Sequence, residues 1–328
     1  MLASSDAFRS LRRTARVEMS EGRGRLLIVA GPTATGKTTT AIEVARRFDG
    51  ELVGADSVQV YRGFDIGSAK PTENELGEVR HHLIDLVDPD QAIDAMAYAS
   101  LADAAIADIR GRGRLPIVVG GTGLWIRALL RGLVDVPPVD PDIRQRLEAV
   151  AQTEGAAALH AKLAQVDPIS AETIHPNDAL RIVRALEVFE QTGKPLGSLR
   201  AEHALGKPRY ESVFVVLDIE REAHGAIIER RAEKMLAAGW VDEVRRLRER
   251  WGDEVRAFGS VGYREVLAHV RDAVPLDETL RQVRKSTRVY ARRQRTWFQG
   301  APGVSWRSRS DALMTSRGLE RLAKDLEL

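Results

Sequence analysis

A strand, a glycine-bounded loop and a helix follow one another directly near the start of this chain, and they constrain its fold more than any other feature. The apolar residues 26–30 precede the segment GPTATGKT, and apolar residues then recur at helical spacing from Ile42 to Phe48. The pattern G-x-x-x-x-G-K-[ST] in this setting is typical of a phosphate-binding loop, because its glycines let successive N–H groups face inward and the helix dipole adds positive charge. The sequence therefore predicts a phosphate ligand, although the loop alone does not indicate a kinase.

Each part of this loop contributes to the predicted phosphate site. Lys37 would place a positive charge on a terminal phosphate, and the hydroxyl of Thr38 would hold Mg²⁺, the one cofactor that we expect. The residues expected to surround the phosphates are Gly31, Pro32, Thr33, Ala34, Thr35, Gly36, Lys37 and Thr38.

The composition indicates a soluble globular protein. Of the 328 residues, 44% are hydrophobic, which is enough for a packed core in one large or two modest domains. No apolar run approaches the roughly 20 residues that span a bilayer, and the N-terminus lacks the apolar segment of a secretory signal. The chain has no cysteine, which excludes disulfides and thiolate zinc sites. We therefore expect a cytoplasmic monomer without a membrane partner.

The order of the apolar segments predicts an α/β fold. Short apolar strands alternate with helical patterns on both sides of a wholly helical stretch, which indicates a P-loop NTPase-like parallel sheet core with an inserted all-helical domain. We predict a disordered tail over residues 1–24, a core over 25–136 and 200–300, a helical insertion over 137–199 and a polar C-terminal tail over 301–328.

Three features that follow predicted strands are expected to meet in one cleft. The loop follows the first strand, Asp56 follows the strand at 52–55, and Thr122 follows the strand at 115–119. Ligands of parallel sheets bind at the carboxyl ends of the strands. The strand at 115–119 ends in Gly-Gly-Thr and not in the metal-binding Asp of ordinary P-loop NTPases, which favours holding a leaving diphosphate over cleaving a γ-phosphate. From spacing alone, Asp56 can be a metal ligand, a ribose contact, a general base or a helix cap.

A predicted helix near the C-terminus carries an excess of positive charge. Between Thr279 and Ser310 there are nine Arg or Lys and no Asp or Glu, which suggests a polyanionic partner. The residues expected to face the core recur at steps of three and four and are Leu280, Val283, Thr287, Tyr290, Gln294 and Trp297. The basic residues follow the same period one position along and are Arg281, Arg284, Lys285, Arg288, Arg292 and Arg295. A stripe of one sign predicts a nucleic-acid contact, because a solvated helix face normally mixes charges.

Several further segments follow the loop in a fixed order. They are ADSVQVYRGFDIGSAKP at 55–71, HHLID at 81–85, GGTGL at 120–124, HPND at 175–178, RIVRALEV at 181–188, VGYR at 261–264 and RRQRTW at 292–297. With these segments the chain resembles the tRNA dimethylallyltransferase (isopentenyltransferase) family over about residues 25–300. The combination is much more specific than the loop alone.

The resemblance implies a reaction. A dimethylallyl group would move from dimethylallyl diphosphate to N6 of adenosine 37, in the anticodon stem-loop of tRNAs that read codons beginning with U, giving N6-isopentenyladenosine and diphosphate. The loop would hold the diphosphate with Mg²⁺, and Asp56 would take the proton from N6. Thr122 would contact the oxygen that bridges the allyl carbon and phosphorus. Arg231 would help to neutralise the departing diphosphate. A weakly nucleophilic amine and an allylic diphosphate need such a base and such charge stabilisation.

The resemblance also implies a tRNA-binding surface that includes the helical insertion, and the basic stripe extends it. The residues expected to contact tRNA are Asp56, Ser57, Val58, Gln59, Thr122, Arg144, Leu180, Arg181, Ile182, Val183, Arg184, Gly259, Ser260, Val261, Gly262, Tyr263, Arg264, Arg288, Arg292, Arg293, Gln294, Arg295, Thr296, Trp297, Phe298 and Gln299.

The departures from the family pattern are small. Thr35 replaces the commoner Ser, Trp125 the commoner Tyr and Arg292 the commoner Lys. We interpret Trp125 as core packing and expect structural roles for His81 and His82. A P-loop nucleotide kinase and a non-catalytic RNA-binding ATPase are the alternative functions, and turnover of dimethylallyl diphosphate in place of ATP would separate all three.

Overall fold

The structure is a computed structural model that describes residues 25–204, 207–308 and 313–327. The tail predicted over residues 1–24 lies outside these described residues.

Among the described residues, six strands form one parallel sheet in the order β3-β2-β4-β1-β5-β6. The strands are β1 (Leu26–Ala30), β2 (Gly50–Ala55), β3 (His81–His82), β4 (Leu115–Gly120), β5 (Ser212–Asp218) and β6 (Val304–Ser308). Every residue of β1, β2 and β4 is buried. Near-continuous apolar runs of this kind are typical of parallel strands covered on both faces, and the predicted α/β class is confirmed.

Helices lie between these strands, within residues 131–208 and after β6. They are α1 (Lys37–Arg47), α2 (Glu73–Glu78), α3 (Ala95–Gly111), α4 (Gly123–Arg131), α5 (Pro141–Thr153), α6 (Ala156–Val166), α7 (Pro168–Thr173), α8 (Ala179–Thr192), α9 (Leu196–Ala204), α10 (Arg221–Ala237), α11 (Trp240–Trp251), α12 (Tyr263–Asp272), α13 (Leu276–Gln299) and α14 (Ser316–Leu326), with a 3₁₀ turn at Arg256–Gly259.

The described residues divide into two compact units. One unit ends at Leu130 and resumes at Arg209, and the other spans Arg131–Pro208. The second unit is wholly helical, as predicted, but is wider than the expected 137–199. Its own apolar core includes Leu147 and Leu163.

A buried carboxylate joins two helices of the Arg131–Pro208 unit. Glu187 on α8 is fully buried and accepts from the backbone N–H of Asp140 at 2.7 Å and from the Arg144 guanidinium at 2.8 Å. Arg184 lies 3.1 Å from the same carboxylate and donates to the carbonyl of Pro137 at 2.7 Å. These two arginines therefore hold the unit together, and their predicted tRNA contacts stay a prediction.

The C-terminal segment is part of the core, which corrects the polar tail predicted over residues 301–328. Its strand β6 pairs with β5, and α14 places Leu322 and Leu326 in the apolar cluster formed around α1 and β1. Leu313 is buried in the same cluster. Polar residues dominate the composition of α14, but its leucines recur at helical spacing and form one apolar face.

The long helix α13 buries a face that overlaps the predicted one. Val283 and Gln294 are buried as expected, whereas Leu280, Thr287, Tyr290 and Trp297 are only half-buried. The remaining buried residues of this helix are Thr279, Ala291 and Phe298. The face that meets α10 and α12 therefore lies beside the predicted one.

A second buried carboxylate lies at the amino-terminal half of β2. Glu51 accepts from Arg112 at 2.9 Å and lies 2.7 Å from the His82 ring nitrogen. Burial alone would raise the pKa of Glu51, but the hydrogen bonds from Arg112 and His82 outweigh it and lower the pKa to about 2. Together with a 2.7 Å contact from the ring of His81 to the Val79 carbonyl, this gives both histidines structural roles.

Replacing Glu51 by glutamine is expected to destabilise the fold by about 3 kcal/mol at pH 7. Because the folded-state pKa is depressed, the contribution of Glu51 is complete above its unfolded value of about 4.5 and is lost as the pH falls towards about 2. Urea unfolding of both proteins across this range measures the difference. A matched Glu78→Gln variant, which removes the exposed pair with Arg46, should change stability by less than about 1 kcal/mol. A pH-independent difference between Glu51→Gln and the wild-type chain would contradict the assignment.

Candidate active site

The predicted phosphate-binding loop joins β1 to α1. Gly31 has a φ of +147°, and a Cβ on it would lie 2.4 Å from the carbonyl oxygen of Leu217 on β5. Gly36 has a φ of 80° and ψ of 22°, in the left-handed region, directly before Lys37 begins the helix. Both positions therefore require glycine, and the loop wraps around the amino terminus of α1 as the motif predicts.

Side chains of the loop itself, of α1 and of α10 bind carbonyl groups of this loop. The Lys37 ammonium donates to the Pro32 carbonyl at 2.8 Å, and the hydroxyl of Thr35 donates to the same oxygen at 2.9 Å. A ring nitrogen of His224 on α10 lies 2.8 Å from the Thr33 carbonyl. These three contacts fix the carbonyl groups of Pro32 and Thr33 within the loop.

Gln294 connects the loop to the Gly-Gly-Thr turn after β4. Its side-chain oxygen accepts from the N–H of Thr33 at 2.8 Å, and its NH₂ donates to the Gly121 carbonyl at 2.9 Å. A Cβ on Gly121 would lie 2.3 Å from the Gln294 nitrogen, so only glycine fits. Gln294 is buried, and both ends of its amide bind within the protein, while its predicted tRNA contact stays a prediction.

The turn after β4 brings Thr122 beside the residues that follow β2. The Thr122 hydroxyl accepts from the N–H of Ser57 at 3.1 Å, and Thr122 itself donates its N–H to the Ala55 carbonyl at 3.1 Å. One carboxylate oxygen of Asp56 accepts from the N–H groups of Val58 and Gln59, at 2.9 and 3.3 Å. Within residues 25–204, 207–308 and 313–327, the other oxygen has no hydrogen-bond donor. Asp56 is thus oriented by the backbone and keeps one basic oxygen open.

Two half-buried cations, Lys37 and Arg231, lie close to this carboxylate. Burial, and then the neighbouring Arg231, lower the pKa of Lys37 to about 8, while Asp56 acts in the opposite direction. Burial also lowers the pKa of Arg231, which lies 3.5 Å from the Thr33 hydroxyl, and Asp56 again opposes the shift. Two partly desolvated cations beside one carboxylate leave a net positive charge. An anionic ligand would neutralise it.

Tyr290 is a residue of this site that the sequence did not assign to it. It lies one helical turn before Gln294 on α13, and burial together with the charge of Asp56 raises the pKa of its phenol. The hydroxyl therefore stays neutral at physiological pH. The spacing of four between Tyr290 and Gln294 places both residues on one helix face. By itself this spacing indicates only a face that packs on the core.

A buried glutamate of α11 organises the loop over residues 64–69. Glu243 accepts from the N–H groups of Asp65 and Ile66, at 3.1 and 2.7 Å, and from the Tyr263 hydroxyl at 2.6 Å. At the C-terminal end of the same loop, the NH₂ of Gln59 donates to the carbonyl of Ala69 at 3.1 Å. Since the N–H of Gln59 also binds the Asp56 carboxylate, a chain of contacts runs from Glu243 to the candidate base.

The basic stripe of α13 is largely paired with acidic residues, which corrects the expectation of a stripe without acids. Arg288 binds Glu229 at 2.7 Å, and Arg295 binds Asp218 at 2.5 Å. Arg284 pairs with Glu233, also on α10, and Arg281 pairs with Glu278 within α13 itself. These acids come largely from distant parts of the sequence, so the local pattern could not show them.

The remaining basic residues of the stripe face a cavity of about 360 Å³ between α10 and α13. Lys285, Arg292 and Arg221 line it without an ion pair among the described residues. Arg293 is exposed and likewise makes no ion pair in the part of the chain that the structure describes. Arg292 and Arg293 therefore retain the charge that a polyanion contact needs, whereas Arg288 and Arg295 share theirs with carboxylates.

Several of the residues predicted to contact tRNA have buried side chains. The exposed fractions are 0% for Ile182, 2% for Val183, 0% for Tyr263 and 1% for Phe298, which packs on Phe214. Gly262 is buried as well. In this structure these side chains pack inside the protein, next to exposed neighbours in the same segments.

Those neighbours remain accessible. The exposed predicted contacts are Leu180, Arg181, Gly259, Arg264, Thr296 and Gln299, and the half-exposed ones are Ser57, Val58, Gln59, Ser260, Val261 and Trp297. Leu180, at 75% exposure, is the most open large hydrophobic residue among those described. Trp125 is 4% exposed and stacks on Tyr98 with ring centroids 4.4 Å apart, as expected for core packing.

The described residues contain no group of three or more His, Cys, Asp or Glu that could hold a metal ion. Thr38, the predicted Mg²⁺ ligand, lies half-buried in the first turn of α1. None of the described helices combines the length and the apolar character that crossing a membrane requires.

Comparison with known proteins gives one consistent result. A family model described as "IPP transferase" matches residues 59–301. The chain is 51% identical over 276 residues to a tRNA dimethylallyltransferase of Sorangium cellulosum, which covers 84% of this chain and 88% of that protein.

Solved structures agree with this match. The fold is similar to a full-length tRNA isopentenylpyrophosphate transferase from Bacillus halodurans, with a TM-score of 0.68, 37% identity, and coverage of 92% of this chain and 97% of that one. A eukaryotic dimethylallyltransferase captured acting on tRNA superposes with a TM-score of 0.75 at 26% identity, over 91% of this chain and 77% of that one.

Proposed function

The chain belongs to the IPP transferase family, and from this premise we propose that it transfers a dimethylallyl group from dimethylallyl diphosphate to N6 of adenosine 37 in tRNA. The substrates would be tRNAs that read codons beginning with U. The observation that supports the proposal best is the pair of desolvated cations, Lys37 and Arg231, beside the open oxygen of Asp56. A leaving diphosphate and a general base are the two requirements of this reaction.

The proposed reaction is a nucleophilic substitution at the first carbon of the allyl group. The N6 lone pair forms a bond to the first carbon of the allyl group, the bond from that carbon to the bridging oxygen breaks, and its electrons stay on diphosphate. The proton of N6 passes to the open oxygen of Asp56, which the N–H groups of Val58 and Gln59 hold in place. Thr122, whose hydroxyl lies 3.4 Å from that of Ser57, would contact the bridging oxygen.

The phosphate-binding loop and its neighbours would stabilise the departing diphosphate. Lys37 and Arg231 supply positive charge from a desolvated environment, where such interactions are stronger than in water. The residues also fit Mg²⁺, which binds few protein ligands and keeps water and substrate phosphates around it. The Thr38 hydroxyl would hold Mg²⁺ together with diphosphate oxygens, and the ion would add charge neutralisation there.

The adenine must leave its stack to reach this site, because the reacting groups lie at the carboxyl ends of buried strands. Enzymes that modify a base commonly extrude the nucleotide and read it in a pocket. The neutral phenol of Tyr290 and the fixed backbone after Asp56 are the parts of this site that would contact the extruded base.

The kinase alternative has weaker support. A nucleotide kinase uses a carboxylate at the end of the strand beside the loop to hold Mg²⁺, and β4 ends in Gly120 followed by Gly121 and Thr122. The direct test is to incubate the protein with tRNA, Mg²⁺ and dimethylallyl diphosphate and to analyse the tRNA nucleosides by mass spectrometry. An adenosine heavier by one dimethylallyl unit at position 37 supports the proposal. Unmodified tRNA, with turnover of ATP instead, would reject it.

Replacing Glu243 by glutamine is expected to lower kcat by roughly tenfold or more, because only one acceptor oxygen remains and the amide NH₂ must face the N–H of Gly67 or those of Asp65 and Ile66, which displaces the loop that orients Gln59. Steady-state prenylation assays and thermal unfolding measure the effect. A matched Glu249→Gln variant, at an exposed position of the same helix, should behave like the wild-type chain. Tyr263→Phe keeps the loop contacts, so it should lower Tm without lowering kcat. Equal kcat values for Glu243→Gln and Glu249→Gln would show that Glu243 serves stability alone.

A further inference from the structure

Arg127 and Trp297 form a stacked pair between α4 and α13. The guanidinium carbon of Arg127 lies 5.1 Å from the centre of the Trp297 ring, the geometry of a cation–π contact. Gly123 lets the indole approach, since a Cβ there would lie 2.2 Å from the ring. One turn earlier on α13, Gln294 holds the helix against the phosphate-binding loop. The pair is therefore fixed in place directly after Thr122.

The helix α4 turns Arg127 outward. Trp125, Ile126 and Ala128 are buried at 4, 1 and 0% exposure, whereas Leu124 is 41% exposed and Arg127 is also exposed. The outer face of α4 thus presents one apolar and one cationic side chain at the edge of the site. Surface positions beside a reaction centre are available to a large substrate and not only to a small one.

Arg127 carries a charge that no carboxylate offsets. It makes no ion pair or hydrogen bond with any residue in the described ranges 25–204, 207–308 and 313–327. The indole covers one face of the guanidinium, and this partial desolvation lowers the pKa of Arg127 without removing its charge. Most other arginines of this surface are paired, as Arg288 and Arg295 are. A partly covered cation without a partner is costly, and an anion would recover that cost.

We propose that Arg127, held against Trp297, binds a backbone phosphate of the tRNA next to the adenosine that enters the site. The assignment rests on the proposed function, which makes tRNA the substrate. A planar guanidinium can keep one face on the indole while its N–H edge binds phosphate oxygens. The allylic diphosphate fits this position less well, because the cations assigned to it, Lys37 and Arg231, are desolvated within the site.

The test uses the full chain and measures tRNA binding at several KCl concentrations. Arg127→Gln should weaken binding at low salt by about tenfold, the effect of one charge-assisted hydrogen bond. The magnitude of the log–log salt slope should fall by roughly 0.7–0.9, since one phosphate contact is lost. Arg127→Lys should keep the slope because it keeps the charge. Arg46→Gln, at the far end of α1 from the loop, is the matched control and should change neither quantity.

Three outcomes would overturn the assignment. An unchanged slope in a folded Arg127→Gln variant means that Arg127 contacts no phosphate of tRNA. A higher KM for dimethylallyl diphosphate with normal tRNA binding means that Arg127 serves the small substrate. An equal loss in Arg127→Lys and Arg127→Gln means that the side chain acts through packing. If the wild-type chain binds tRNA but does not prenylate it, the proposed function fails, while the Arg127 contact can still be measured. If the wild-type chain binds no tRNA, both the proposed function and the Arg127 contact are rejected.

Discussion

Replacing Asp56 by asparagine is expected to lower kcat by about 10²–10⁴-fold, the usual size of a general-base effect. The amide has nearly the same shape and keeps an oxygen that accepts from the N–H groups of Val58 and Gln59, so the backbone around it should not move. It offers no basic oxygen to the N6 proton. The Kd for tRNA and for dimethylallyl diphosphate should therefore change little, and single-turnover measurements with saturating substrates isolate the loss of rate.

Asp90→Asn, at an exposed position of the same unit, is the matched control and should retain full activity. Near-normal turnover by the Asp56 variant would remove this residue from the mechanism. An equal loss of tRNA affinity and kcat would make Asp56 a binding residue and leave the base unassigned.

Replacing Lys37 by alanine is expected to raise the KM for dimethylallyl diphosphate by about 100-fold, since a charge-assisted hydrogen bond in a desolvated site is removed. The wild-type chain should also lose kcat/KM for this substrate as the pH rises above about 8, because burial and Arg231 lower the pKa of Lys37 to that value and the neutral amine no longer attracts the diphosphate. The Lys37→Ala variant should lack this decline.

Lys324→Ala on the surface of α14 controls for the loss of a lysine and should show the wild-type pH profile. The affinity for tRNA should stay the same in Lys37→Ala, because Arg127 and the exposed family segments lie apart from the phosphate-binding loop. A variant that lost both substrates to the same degree would show that the two ligands depend on one shared surface.

The core of the fold could be predicted because its signals are local. The run Leu26–Ala30, the glycines at both ends of the loop and the Gly-Gly-Thr turn after β4 each determine their own conformation, and parallel strands bring their ends together. Asp56, Lys37 and Thr122 could therefore be assigned to one cleft from the sequence. In the structure the charge of Asp56 acts on the pKa of Lys37, and the Thr122 hydroxyl accepts from the N–H of Ser57 at 3.1 Å.

Features that depend on distant partners were missed. The charges of Glu229 and Glu233 on α10 neutralise Arg288 and Arg284, which are more than fifty residues away in the chain. Gln294 was expected on the core face of its helix, but the sequence could not show that its amide joins two loops of the site. Motif matching identifies residues that a family shares but cannot distinguish those that touch a ligand from those that hold the ligand-binding backbone.

The position of β6 and α14 has a consequence for synthesis of the chain. Leu322 and Leu326 pack against apolar residues of β1 and α1, so this apolar patch stays uncovered until α14 has been synthesised. The Arg25 guanidinium, beside the first strand, also binds the carbonyl of Asp325 at 3.1 Å. A nascent or prematurely terminated chain would complete the phosphate-binding loop, Asp56 and Thr122 and still expose an apolar surface of the kind that leads to aggregation. Synthesis through α14 is thus a condition for solubility, even though the last of the proposed catalytic residues, Arg231, lies more than ninety positions before Leu326.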